Sequence, residues 1–193
     1  SKKMPQEYDL PIKTRGVEAQ TRSFWIKLLR LMMLSKESDH REDILVRQGK
    51  AGPHVSSRGH EALIAVPMLL ENQDALFPYY RGCHLMMGKG LRREEIARDF
   101  LYKRTSTSGG RSMSVHAGSR ALQLFPTAAP TASQCLPAVG VAWAQRLRGT
   151  RNITVCSLGD GATRGGEFYE AVCMAVEYRL PLLFLVEDNG EVE

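Results

Sequence analysis

Two acidic turns define the chemistry open to this sequence. Gly159-Asp160-Gly161 closes the apolar run 153–158, and Asp188-Asn189-Gly190 closes a second run, 182–186. Between them, residues 166–178 carry apolar side chains at helical spacing. Strand, helix and strand in so short a stretch predict one right-handed crossover unit of a parallel sheet. Such a unit brings the carboxyl ends of both strands to one edge, where open parallel sheets bind their ligands. Asp160 and Asn189 then converge on one point. A carboxylate and an amide oxygen are hard donors suited to Mg²⁺, which completes its shell with phosphate oxygens and water. Glycine on either side of Asp160 lets a bulky diphosphate approach the backbone. Each triplet alone is an ordinary turn sequence. The reading rests on finding both at strand ends, one helix apart.

The resemblance follows from these residues. Leu158-Gly-Asp-Gly-Ala-Thr163, Gly166-Glu-Phe-Tyr-Glu-Ala171 and Val186-Glu-Asp-Asn-Gly190 resemble the thiamine diphosphate motif. More narrowly, they resemble the alpha chain of the decarboxylating first component of 2-oxo acid dehydrogenase complexes. Four upstream segments extend the likeness. Arg58-Gly-His-Glu-Ala62 is similar to the family's Gly-x-Glu-Ala helix start, and Phe77-Pro-Tyr-Tyr-Arg81 to its Tyr-Arg element. Ser108 to Gly118 is similar to its glycine-rich Gly-Arg-x-Met-x-x-His segment. Ala129-Pro-Thr-Ala-Ser-Gln134 resembles the branched-chain type. Several separated motifs over roughly residues 40 to 190 make coincidence a poor explanation.

The resemblance implies a role for each matching position. Asp160 and Asn189 bind Mg²⁺, with the main-chain carbonyl of Glu191 as third protein ligand. Tyr80 and Arg81 bind the cofactor, the arginine at its diphosphate; a guanidinium is a planar fork that fits phosphate, and its bland alternative is a surface ion pair. Gly159, Gly161 and Ala162 line the turn, the last two offering backbone N–H groups to phosphate. The carbonyls of Ala129 and Thr131 hold the aminopyrimidine. In the branched-chain type the same turn holds a structural K⁺, which here falls on the carbonyls of Ala128 and Pro130, the Ser133 hydroxyl and the Gln134 amide oxygen. Oxygen donors suit a hard cation; a simple helix N-cap at Ser133 is the even alternative. His116 is the catalytic candidate, as a proton donor or as a loop-ordering histidine.

The sequence also departs from the family pattern. Cys83 stands where the family has a histidine, and that role is not transferred to His84. Glu187 stands where branched-chain relatives can carry an arginine, and Glu191 replaces an expected tyrosine. The glutamate that activates the cofactor in this family belongs to the beta chain and has no match here.

Length and composition set the outer limits. The 193 residues are 43% hydrophobic and 24% charged, as expected of one globular domain. No apolar run reaches the roughly 18 residues of a membrane span, and the N-terminus shows no apolar leader. We expect a cytoplasmic protein, without a membrane partner. The net charge of +5 comes without long Lys/Arg clusters, so nucleic acid is not an expected partner. Four cysteines at 83, 135, 156 and 173 show no metal spacing. Cys156 and Cys173 lie in apolar runs and are expected to be buried thiols. Cys135 could lie near the cofactor.

The elements that must position these residues follow from periodicity. Residues 1–16 read as an arm and 17–193 as a truncated diphosphate-binding half of a thiamine diphosphate-binding domain. The predicted fold is α/β, a parallel sheet flanked by helices and incomplete at its C-terminal end. A first helix is predicted over 17–39, packing Trp25, Leu28, Leu29 and Met32 inward. Polar residues 40–55 read as helix end and turn. Short helical and strand segments are predicted at 61–70 and 74–77, and a helix over 91–102. Residues 103–132 read as a long functional loop, and 134–147 as a helix rich in small residues.

The implied reaction is oxidative decarboxylation of a branched-chain 2-oxo acid, with acyl transfer to a lipoyl-bearing acyltransferase. A beta chain would complete the site, as an α₂β₂ assembly, and the isolated chain is expected to be inactive. A pyruvate-specific alpha chain, another thiamine diphosphate enzyme, and a non-catalytic cofactor-binding module are the alternatives.

Overall fold

The computed structural model describes residues 21–190. The arm expected over 1–16 and the ligand role expected of Glu191 lie outside the described residues. Three parallel strands form the sheet in the order β1 (Ala75–Phe77), β2 (Thr154–Gly159), β3 (Leu182–Glu187). The register pairs Phe77 with Cys156 and Gly159 with Glu187. Parallel pairing puts all three carboxyl ends on one edge, as the crossover argument expects. Segment 123–125 flanks the free side of β1: the Leu76 N–H donates to the Gln123 carbonyl, and the Phe125 N–H donates to the Leu76 carbonyl.

Strand alternation builds two apolar layers. Ala75, Phe77, Cys156, Leu158, Leu182 and Phe184 face α5 (Cys135–Leu147) and α6 (Gly166–Glu177). Leu76, Val155 and Leu185 face the opposite layer, which includes α3 (Cys83–Lys89) and α4 (Arg93–Phe100). This period of two is the strand's own geometry. Small residues Ala138, Ala142 and Ala171 are fully buried and let α5 and α6 approach closely.

The remaining elements are α1 (Arg22–Arg47), a 3₁₀ turn at Glu61–Ile64 that continues into α2 (Ala65–Met68), and a second 3₁₀ turn at Gly161–Arg164. The segment 103–132 contains no regular helix or strand, as its composition predicts.

Three expectations are corrected. The first helix does not end near Asp39 but runs to Arg47. Its polar second half is helical because Asp39 and Glu42 point inward to charged partners, and Gly49, in the left-handed region at φ 67°, follows its end. Trp25 and Leu29 are not core: they are 53% and 57% exposed, whereas Leu28, Ser35, Asp39 and Glu42 form the buried face. Helix α3 was hidden in sequence behind Gly82 and the two glycines at 88 and 90. Cys173 is exposed rather than buried: it lies on the outer face of α6, whose buried residue is Ala171.

Among the described residues, no helix is long and apolar enough to cross a membrane.

Candidate functional site

The carboxyl edge of the sheet opens into a cavity of about 350 Å³. That lies within the usual range for small-molecule sites. Four segments wall it. The exit of β1 supplies Tyr79, Tyr80 and Arg81; the exit of β2 supplies Gly159, Asp160, Gly161 and Ala162. The exit of β3 supplies Glu187 and Asn189, and the loop before α5 supplies Ala128, Pro130, Thr131, Ala132 and Gln134.

Most residues singled out in the sequence therefore share one cavity. Among the described residues, three do not line it: Ala129, Ser133 and His116. Ser133 donates its hydroxyl to the Pro130 carbonyl at 2.7 Å, which ties together two of the oxygens expected around K⁺. That hydroxyl does not cap α5, whose first residue is Cys135 and whose N-cap position is Gln134; the N-cap alternative is corrected accordingly. His116 is held through Nδ1 by the Ser114 carbonyl at 2.7 Å, and its buried Nε2 has no hydrogen-bond partner.

Ser157 on β2, which sequence reasoning missed, holds two walls at once. Its hydroxyl accepts the Tyr79 N–H at 3.2 Å, and its carbonyl accepts the Gln134 amide at 2.9 Å. A serine in a fully buried strand was the available signal, because a buried hydroxyl must find partners. Gly82 is required behind Arg81: a Cβ there would meet the Tyr79 carbonyl at 2.9 Å. The turn it permits is closed by Gly82 N–H to Tyr79 O at 2.8 Å.

Glu187 was read only as a departure, yet it forms the floor. Its carboxylate is fully buried, with Oε2 3.2 Å from His84 Nε2, 3.6 Å from His60 Nδ1 and 3.5 Å from the Tyr79 hydroxyl. Burial, with the Glu187 charge adding to it, holds the Tyr79 phenol well above its ordinary range. Tyr79 therefore stays a neutral donor. Burial also pushes the Cys83 thiol up to about 12, with Glu42 reinforcing it, so the group at this position stays a neutral thiol.

The lining carries one cationic side chain, Arg81, and two carboxylates, Asp160 and Glu187. No salt bridge joins Asp160 to another described residue. An anionic ligand in this setting needs a metal ion to bridge it to Asp160. Hard oxygen donors at Asp160 and Asn189, and backbone N–H groups at Gly161 and Ala162, suit Mg²⁺ and a diphosphate. No cluster of three or more His, Cys, Asp or Glu suited to a metal occurs among the described residues.

Residues 29–190 match the family described as Dehydrogenase E1 component. The chain belongs to that family. An E1 relative, 2-oxoisovalerate dehydrogenase subunit alpha 2, mitochondrial, of Arabidopsis thaliana, is 33% identical over 75% of this chain and 31% of its own. 2-Oxoisovalerate dehydrogenase subunit alpha of Bacillus subtilis is 28% identical over 85% of this chain and 51% of its own. Pyruvate dehydrogenase E1 component subunit alpha of Staphylococcus aureus (strain Mu50) is 30% identical over 86% of this chain and 42% of its own. This E1 chain thus spans about half or less of the length of these relatives. A solved thiamin diphosphate-dependent enzyme of Mycobacterium smegmatis superimposes with a TM-score of 0.44 at 20% identity, over 67% of this chain and 20% of its own. The family assignment rests on the sequence match.

Proposed function

We propose that this chain is the diphosphate-binding half of a 2-oxo acid dehydrogenase E1 site. The observation that carries the reading is convergence: Arg81, Asp160, Gly161, Ala162 and Asn189, from three strand exits, line one cavity. Thiamine diphosphate, when bound, supplies carbanion stabilisation through its thiazolium ring. The chain's own residues anchor and orient. Asp160 and Asn189 hold Mg²⁺, with Glu191 as a further ligand; Arg81 and the backbone at 161–162 take phosphate oxygens. Tyr80 and the Thr131 carbonyl position the remainder of the cofactor; Ala129, outside the cavity lining, takes no part. The oxygens of Ala128, Pro130, Ser133 and Gln134 form a candidate K⁺ site, and His116 is the candidate for proton transfer.

The substrate we favour is a branched-chain 2-oxo acid, supported by the Ala129-to-Gln134 turn. The buried Glu187, where branched-chain relatives can carry arginine, favours pyruvate as the second reading. Relatives of both kinds match at similar identity. A beta subunit in an α₂β₂ assembly and a lipoyl-bearing acyltransferase complete the proposed system, in the cytoplasm.

Calorimetry on the assembled enzyme tests the anchor. Arg81→Ala is expected to cost roughly 1.5–3 kcal/mol of thiamine diphosphate affinity, the worth of a hydrogen bond to a charged group. Mg²⁺-independent binding, or tighter binding of ATP than of thiamine diphosphate, would overturn the reading.

A further inference from the structure

Arg81 does not stand alone at the cavity. Its Nη1 donates to the Ser56 carbonyl at 2.5 Å, while its guanidinium carbon lies 5.7 Å from the Tyr80 ring centroid. Ser56 belongs to an irregular segment between α1 and the first 3₁₀ turn, with no ladder of its own to hold it. What fixes that segment is one buried carboxylate on α1. Asp39 Oδ2 accepts the Ser56 hydroxyl at 2.8 Å, and Oδ1 accepts the Ser57 N–H at 2.9 Å. His54 Nε2 lies 3.2 Å from Asp39 Oδ1, and the other ring nitrogen lies 3.3 Å from Glu42 Oε2. The segment also receives the glycine-rich loop: Ser114 donates its hydroxyl to the Pro53 carbonyl at 3.0 Å, and Ser114 in turn holds His116.

We propose that Asp39 is a positioning residue for the cofactor cavity, acting through Ser56 to set where the Arg81 guanidinium points. A guanidinium on a long side chain loses much rotamer freedom when it clamps phosphate. Bracing it beforehand on a fixed carbonyl removes part of that cost, which is the general gain from preorganisation. Asp39 never reaches the cavity itself; it acts by making the Ser56 carbonyl immobile. The proposal rests on the reading of Arg81 as a diphosphate ligand.

The test is the ratio of affinities for thiamine diphosphate and thiamine monophosphate, measured with Mg²⁺ on the assembled enzyme. Asp39→Asn keeps the size of the side chain and removes its charge; Ser56→Ala removes one anchoring hydroxyl and keeps the carbonyl. Both are expected to lower diphosphate affinity roughly tenfold while leaving monophosphate affinity nearly unchanged, with Ser56→Thr restoring the native ratio. Asp43→Asn, which alters the exposed carboxylate paired with Arg47 on the same helix, is expected to leave the ratio untouched. A collapsed ratio in Arg81→Ala beside a native ratio in Asp39→Asn and Ser56→Ala would overturn the bracing role alone. A native ratio in Arg81→Ala would remove the diphosphate reading, and the proposal with it. Should Asp39→Asn fail to fold, Ser56→Ala decides.

Discussion

Two polar regions of this molecule use their polar side chains in opposite ways, a half-buried Asp160 and exposed Asn189 at the sheet edge and a buried charged cluster on α1. At the sheet edge, Asp160 and Asn189 sit at strand exits, lining one cavity with Arg81. Around α1, Asp39, Glu42, His54 and Arg93 close on one another, carboxylate against cation, with Arg93 bonded to Glu42 and the His54 ring between Glu42 and Asp39. The first leaves the Asp160 carboxylate without an ion pair among the described residues. The second pairs its own charges and holds a segment in place. A partnered buried charge contributes order, whereas an unpartnered one at a cavity invites a counter-ion.

Variants on the two sides should separate into two classes. Asp160→Ala should abolish Mg²⁺-dependent thiamine diphosphate binding, a loss of at least roughly 100-fold or about 2.7 kcal/mol. Its unfolding midpoint should stay within about 0.5 kcal/mol of native, since the side chain is not core packing. Calorimetry and denaturant unfolding on the same preparations check both halves. Glu42→Ala should do the reverse to a large degree, because it strands Arg93 and His54; removing one partner of a buried pair costs about 3–5 kcal/mol. A Glu42→Ala protein with native stability would erase the contrast.

Ser157→Ala sharpens the boundary between the two classes. It leaves the buried Tyr79 N–H without its acceptor, so a stability loss of about 1–3 kcal/mol is expected. Because Tyr79 leads into Arg81, cofactor affinity should fall alongside, and equal unfolding curves would exclude the hydrogen bond. The smallest effect is in the pH profile. The Asp39 carboxylate raises the His54 imidazole above its ordinary value of 6.5, against the lowering by burial, and Glu42 and Asp43 add to the rise. A raised folded pKa contributes stability fully below the unfolded value and loses it as pH rises through the folded one. Burial would raise the Asp39 carboxyl, but His54, Ser56 and Ser57 outweigh it and bring it down to about 2. Its contribution is therefore present above the usual carboxylate value, near 3.9, and lost as pH falls toward 2. The stability advantage of native protein over His54→Gln should shrink as thermal unfolding is repeated above pH 6.5. An advantage that grows there would reverse the assignment. Arg93 on α4, Arg58 in the segment and Cys83 on α3 are the other charged or titratable groups around this pair.

What could be read from sequence was local in origin. Strands β2 and β3, helix α6 between them and the turns after each strand announced themselves by apolar runs and glycine punctuation. Their parallel pairing followed from the crossover rule, and with it the shared edge of Asp160 and Asn189. The tertiary structure decided which polar residues are core. A helix ending near Asp39 was the natural reading of a polar stretch, because sequence does not show that Arg93 and His54 wait across the packing interface. Trp25 and Leu29 looked inward by periodicity and lie outward, since an amphipathic pattern does not say which of two apolar faces this part of the fold covers. Ser157 and Glu187 each bind partners far away in sequence, so no local pattern could reveal the wall and the floor they make. The sequence by itself determined the strand exits and the donor types at the cavity, through backbone geometry and side-chain chemistry. Only the tertiary structure decided which charges pair and which stay open, because pairing depends on distances between segments that the chain does not encode locally.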